Sequence, residues 1–336
     1  MRAQISFVTW GVLALALLVG GCTPGAPPGG ATDRDAQLPE LQAVRLAAGE
    51  KLHAVATTGL VGDVVANVAG DAIQLTTLMA TGQDPHSFQP TPRDIAAIER
   101  AHVVFVNGFH LEEGLEATID AAVSKGRPVV AISAGIRPRV ANQDHGGPTP
   151  VAGDEAHQHT AGDPHVWFDP ANVKIWAQNV ATSLSALDPA NAATYQANAA
   201  AYVRRLDELD AFIQAQVTRI PAERRKLVTD HDAFGYFADR YGFQVIGAVI
   251  PAFSTTAEPS AGDLADLIAK IRAERVPAVF IGSQMNAKIA DLVAAETGAQ
   301  VLRLYTGALG PSGSGAEDYI GMMRTDAEII AQGLSR

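Results

Sequence analysis

One tripeptide occurs twice in this chain, as Asp84-Pro85-His86 and as Asp163-Pro164-His165, and a further histidine, His231, follows directly on the run Lys226-Leu-Val-Thr-Asp230. Proline fixes its own φ and restricts the residue before it, so each Asp-Pro unit presents its histidine from a stiff, extended backbone. The carboxylate two positions earlier can also orient the imidazole that follows. His231 stands where an apolar strand gives way to a helix, and in open α/β sheets ligands gather at the carboxyl ends of strands. The bland reading of His231 is a neighbour of Asp230 and Asp232 at a helix cap. Three neutral imidazoles from separate loops suit Zn²⁺, whose tetrahedral preference leaves one position for water or a carboxylate, and suit the oxygen-seeking Mn²⁺ less well.

The segment 142–162, NQDHGGPTPVAGDEAHQHTAG, carries His145, His157 and His159 among Gly, Pro, Asp and Thr, with Val151 as its one large apolar residue. So little apolar surface cannot anchor a segment, and a mobile loop is expected. Its histidines could chelate a second, weaker metal ion or pass zinc inward, at an entropic cost; equally, they could be incidental to a solvated loop. Packing or surface hydrogen bonding is the expected role of His53, His102 and His110. Trp167 and Phe168 are expected to wall a cleft beside His165, with Phe88 and Phe234 beside their own histidines.

These residues need elements to position them. In the first half, strand-like KLHAVATT, AIQLTTLMA, HVVFVNG and PVVAIS alternate with helix-like segments; in the second half KLVTDH, FQVIGAVI, PAVFIG and QVLRLY do the same. That alternation is the signature of parallel α/β packing, here in two lobes of about four strands each. Between them Tyr195, Ala199, Tyr202, Leu206, Leu209 and Ile213 recur at helical spacing in a stretch bracketed by Pro189 and Pro221. A helix of some 30 residues would run roughly 45 Å, enough to span both lobes and restrain their opening.

The N-terminus adds a second kind of information. Arg2, an apolar run from about Ile5 to Val19, and then Gly20-Gly21-Cys22 read as a secretion signal too short for a comfortable membrane span. Small residues before the cysteine resemble a bacterial lipobox, so Cys22, the single cysteine, is expected to carry lipid after cleavage. The Pro- and Gly-rich stretch beyond it reads as a flexible tether. The expected division is a signal peptide at 1–21, a tether at 22–45, an N-terminal α/β lobe at 46–188, a linking helix at 189–220 and a C-terminal α/β lobe at 221–336. A formal charge of −11 argues against a nucleic-acid surface.

From about Lys51 onward the chain resembles the zinc- and manganese-specific cluster of ABC-transporter solute-binding proteins. The segments that carry the resemblance are TGQDPHSFQPTPRDI, VFVNGFHLE, GDPHVWFDP, DPANAATYQANAAAYVRRLDELD, TDHDAFGYFADRYG, AEPSAGDLADLI and AAETG. The resemblance implies α/β lobes bridged by one long rigid helix, with a metal site in the interlobe cleft. It also implies a permease and an ATPase as partners, possible supply by a zinc metallochaperone, a monomeric state, and residence in the periplasm or on the outer face of the cytoplasmic membrane. His86, His165 and His231 match the family's histidine ligands. Manganese members typically carry a carboxylate at the third position, so His231 favours the zinc-binding branch. Two departures stand out. Members with a fourth protein ligand carry Asp in a YTDSLG-like segment, where this chain has Gly307, leaving water or a carboxylate such as Glu317 or Asp318. Gly282 stands where relatives often have Glu.

A hydrolytic zinc enzyme also uses three histidines and an open position. No HExxH-type motif supplies a base here, and the tether suits a surface-held carrier, so a non-enzymatic zinc carrier is expected. A manganese-binding member or a metal-dependent surface adhesin of the same cell-adhesion-related family is the other reading.

Overall fold

The computed structural model describes residues 35–139 and 162–335. Each half builds a four-stranded, wholly parallel sheet. The first contains β1 (Leu52–Ala56), β2 (Ile73–Thr77), β3 (Val103–Val106) and β4 (Val129–Ala131), in the order β2-β1-β3-β4. The second contains β5 (Lys226–His231), β6 (Gln244–Ile250), β7 (Ala278–Gly282) and β8 (Gln300–Leu304), in the order β6-β5-β7-β8. Parallel neighbours need crossovers, and helices on both faces make the central strands apolar throughout. The sequences VVFV of β3 and AVFIG of β7 are buried at every position.

The crossovers of the first lobe are α1 (Gly59–Ala69), α2 (Pro92–Arg100) and α3 (Glu116–Ser124), and α4 (Pro170–Leu187) follows. Thr91 starts α2 with a capping box to Asp94 and a proline at the first turn. Next comes α5 (Ala192–Val217), and the second lobe uses α6 (Gly235–Tyr241), α7 (Ala261–Glu274), α8 (Lys288–Thr297) and α9 (Tyr319–Leu334). Ser260 opens α7 with a second capping box, to Asp263.

The expected spanning helix is α5. Its 26 residues reach about 39 Å; a short 3₁₀ turn at Pro189–Asn191 takes up the residues before it. Tyr195, Ala199, Tyr202, Leu206, Leu209, Ile213 and Val217 form its buried stripe. That stripe enters one continuous core holding Leu52 of β1, Val180 of α4, Phe280 of β7 and Ile330 of α9. Smaller separate cores lie under α2 and α3 and under α7 and α8. The two sheets are therefore joined through packed interior, as a rigid bridge requires.

One boundary differs from expectation. Composition extends the flexible tether to residue 45, but Leu38, Leu41 and Val44 pack on the central core and the Val44 N–H donates to the Leu187 carbonyl at 2.8 Å. Three apolar side chains at roughly three-residue intervals were enough to seat this stretch, which composition alone had grouped with the Pro/Gly-rich residues before it.

Candidate metal centre

His86 lies in the loop after β2, His165 in the turn leading through the buried 3₁₀ segment Val166–Phe168 to α4, and His231 is the last residue of β5. Although far apart in sequence, the three are brought together, one ring nitrogen of each within 4.8 Å of the others. All three are buried. The His165 Nε2 is 3.2 Å from the His86 Nε2 and 3.1 Å from the His231 Nε2.

The opposite nitrogens explain why. His86 Nδ1 faces Glu113 Oε1 at 3.2 Å, His165 Nδ1 faces Asp163 Oδ1 at 2.9 Å, and His231 Nδ1 faces Asp230 Oδ1 at 2.9 Å. A carboxylate accepts, so each Nδ1 donates, and in the neutral ring each Nε2 is left with its lone pair. Three lone pairs directed into one buried point repel unless a cation sits among them. Carboxylate-backed imidazoles of this kind are the usual surroundings of a metal-binding histidine.

The repeated tripeptide also has a local cause. Asp84 Oδ1 accepts the backbone N–H of His86 at 3.1 Å, and Asp163 Oδ1 that of His165 at 3.0 Å. Each Asp thereby closes a turn around its proline. The tripeptides diverge at the ring: Asp163 also holds the His165 imidazole, whereas Asp84 turns to accept from Thr255 Oγ1 at 2.6 Å and leaves the His86 ring to Glu113. Thr255 and Ser254, which hydrogen-bonds Glu113, lie in the loop after β6, so the second lobe reaches across to the acids of the first.

Electrostatics follow the burial. Burial and the neighbouring His231 and His86 drive the His165 pKa well below its usual value, which keeps its lone pair available. Burial opposes charge on His231 and on Asp230 alike, but their mutual attraction overcomes it, raising the imidazole and lowering the carboxyl. Burial pushes Asp163 up to about 7 against the pull of the His165 N–H, with Asp232 adding to the push and Arg139, 3.3 Å away, opposing it.

Several expectations change at this level. Trp167 stands edge-on to His165 with ring centroids 5.2 Å apart, and its Nε1 donates to the Thr306 carbonyl at 3.1 Å. Phe168 and Phe234 stack on each other at 4.2 Å in the central core instead of lining the site, and Phe88 belongs to the core under α2 and α3. Phe253, whose ring centroid is 6.4 Å from that of His165, gave no signal in the sequence. Glu317 accepts from the Gly313 N–H and Asp318 caps α9 through the Gly321 N–H at 2.7 Å, so both carboxylates are engaged away from the imidazoles. Gly282 donates its N–H to Asp230 Oδ2 at 2.7 Å, and a Cβ there would lie 2.4 Å from Thr306 Oγ1; a larger residue would break the contact that aims His231. Gly307 lies against the proline of the first tripeptide, with a built Cβ 3.0 Å from Pro85 Cδ.

The remaining histidines stand apart from the centre. The His53 N–H donates to His102 Nδ1 at 2.9 Å, and His110 pairs with Glu116. His145, His157, His159 and Cys22, with the signal peptide and all of segment 142–162 but Gly162, lie outside the described residues.

Two parallel α/β lobes around a buried cluster of carboxylate-backed imidazoles define a metal-binding protein of the two-lobed α/β class. The family model for the zinc-uptake complex component A, periplasmic, matches residues 54–333. The chain belongs to this family, the solute-binding proteins of metal ABC transporters. It is 32% identical over 336 residues to the manganese-binding lipoprotein MntA of Halalkalibacterium halodurans, covering 100% of this chain and 99% of that one. It is 34% identical over 299 residues to the zinc-binding protein TroA of Treponema pallidum, covering 86% and 91%. The solved structure of the Treponema pallidum periplasmic zinc-binding protein TroA superimposes with a TM-score of 0.73 at 32% identity, covering 86% of this chain and all of that one. A cadmium-bound periplasmic metal-binding protein from Candidatus Liberibacter asiaticus gives a TM-score of 0.73 at 26% identity, covering 85% of this chain and 100% of that one.

Proposed function

We propose that this protein captures Zn²⁺ outside the cytoplasmic membrane with the Nε2 atoms of His86, His165 and His231 and delivers it to the permease of an ABC importer. The observation that carries the reading is the convergence of three Nε2 atoms whose Nδ1 partners are all carboxylates. An all-nitrogen donor set with room for one further ligand suits Zn²⁺ better than Mn²⁺.

Manganese is the second reading, and its support is the likeness to the manganese-binding lipoprotein MntA, which matches along the whole chain. The relatives named as lipoproteins support an anchor at Cys22, and the histidines at 145, 157 and 159 would serve as accessory zinc ligands. Competition titration of the purified chain with Zn²⁺ and Mn²⁺ against a chromophoric chelator tests the metal choice. Zinc bound at least about 100-fold more tightly supports the reading, in line with the strength of nitrogen ligation for zinc over manganese; equal or reversed affinities would replace zinc by manganese.

A further inference from the structure

Three consecutive residues after β3 have left-handed backbone: Gly108 at φ 99°, Phe109 at φ 53° and His110 at φ 60°. For residues with a Cβ this conformation is unfavourable, and it persists only where the surroundings hold it. Both ends of the loop reach the metal centre. At one end Asn107, fully buried, donates its Nδ2 to the Pro164 carbonyl at 3.1 Å and so holds the peptide directly before His165. At the other end Glu113 faces His86 Nδ1 at 3.2 Å. Inside the loop, Glu112 Oε1 accepts from the Asn107 N–H at 2.7 Å and from Thr57 Oγ1 at 2.6 Å, closing it into a ring.

What holds Gly108 and Phe109 comes from far away in sequence. Asp35 Oδ1 accepts the Phe109 N–H at 3.1 Å and fills the space above Gly108, where a built Cβ would meet it at 2.6 Å. The Asp35 carbonyl accepts the Gly135 N–H at 3.1 Å, fixing the same residue to the turn after β4. We propose that Asp35 is a positioning residue of the metal centre, clipping the segment that enters the first lobe onto the loop that sets His86 and His165. The inference rests on the reading that His86 and His165 bind the metal.

The test uses the full-length chain in detergent, as wild type and as Asp35→Ala, Asp35→Asn and His165→Ala. Zn²⁺ affinity is read by chelator competition, site geometry by the visible absorption of the Co²⁺-loaded protein, and folding by thermal unfolding without metal. Asp35→Ala is expected to weaken Zn²⁺ about tenfold, the low end of what supporting residues contribute around a metal, and to change the Co²⁺ band shape. Asp35→Asn, whose amide oxygen accepts the same N–H, restores both, while unfolding of the metal-free variants stays close to wild type. Wild-type affinity and spectrum in Asp35→Ala overturn the proposal, as does equal weakening by Asn and Ala. Tight zinc in His165→Ala would instead overturn the assignment of the site itself.

Discussion

The Asp163 carboxylate holds His165 twice through one oxygen, taking the backbone N–H at 3.0 Å and the Nδ1 at 2.9 Å. Position and tautomer of the ligand are thus set by the same atom. Replacing Asp163 by Ala removes both, and is expected to weaken Zn²⁺ by about 10- to 100-fold with the fold retained. Chelator competition measures the loss; an affinity equal to wild type would show that the proline turn alone aims the ring.

Glu112 adds one contribution to the pH dependence of the fold. Burial raises its pKa from 4.5 to about 7, although Thr57 and the Asn107 N–H pull the other way. A carboxyl with a higher pKa in the folded state binds more protons there, so its contribution to stability falls as pH rises from about 4.5 to about 7 and is level above that. The difference amounts to the order of 3 kcal/mol, at 1.36 kcal/mol per unit. Glu112→Gln should remove this slope, so that denaturant unfolding of the metal-free variant changes less over that pH window than wild type. Parallel curves for the two proteins would mean that Glu112 stays ionised in the folded state.

Leu206 tests the continuity of the core. It is fully buried in the middle of α5, in the cluster shared by both sheets. Leu206→Ala is expected to lower stability by about 2–5 kcal/mol while unfolding remains a single transition. Separate transitions for the two lobes would show that the helix does not couple them.

Gly307 bears on metal choice. A Cβ there faces Pro85 at 3.0 Å, so Gly307→Asp would place a carboxylate next to the loop of His86 at the cost of a small shift of that proline. Adding an oxygen donor is expected to raise Mn²⁺ affinity relative to Zn²⁺ by about tenfold. An unchanged ratio in paired titrations would place the metal beyond reach of residue 307.

The strands, the spanning helix and the three histidines were legible because each has a local signature. Apolar runs mark the buried strands, a 3.6-residue stripe from Tyr195 to Ile213 marks α5, Asp-Pro-His marks the stiff turns of His86 and His165, and the end of an apolar strand marks His231. The partners of those histidines were legible only where they are neighbours in sequence. Asp163 is foreseen, since only Pro164 separates it from His165. Glu113 is not, because it stands 27 positions beyond His86 and only the fold of the 107–113 loop brings them together. Asp230 enters the sequence reading only through the bland alternative of a helix cap beside His231, although it backs the His231 ring, and Phe253 comes from a loop with no periodic pattern. The packed stretch from Leu38 to Val44 was hidden by the Pro/Gly-rich residues before it.

The central claim is that His86, His165 and His231 bind one zinc ion through their Nε2 atoms. Anomalous diffraction at the zinc edge from crystals of the zinc-loaded chain tests it most directly. The expected result is a single strong peak about 2.0–2.1 Å from all three Nε2 atoms, with the Nδ1 contacts to Glu113, Asp163 and Asp230 kept. A peak bonded to Nδ1 atoms, or one lying away from these three rings, would contradict it.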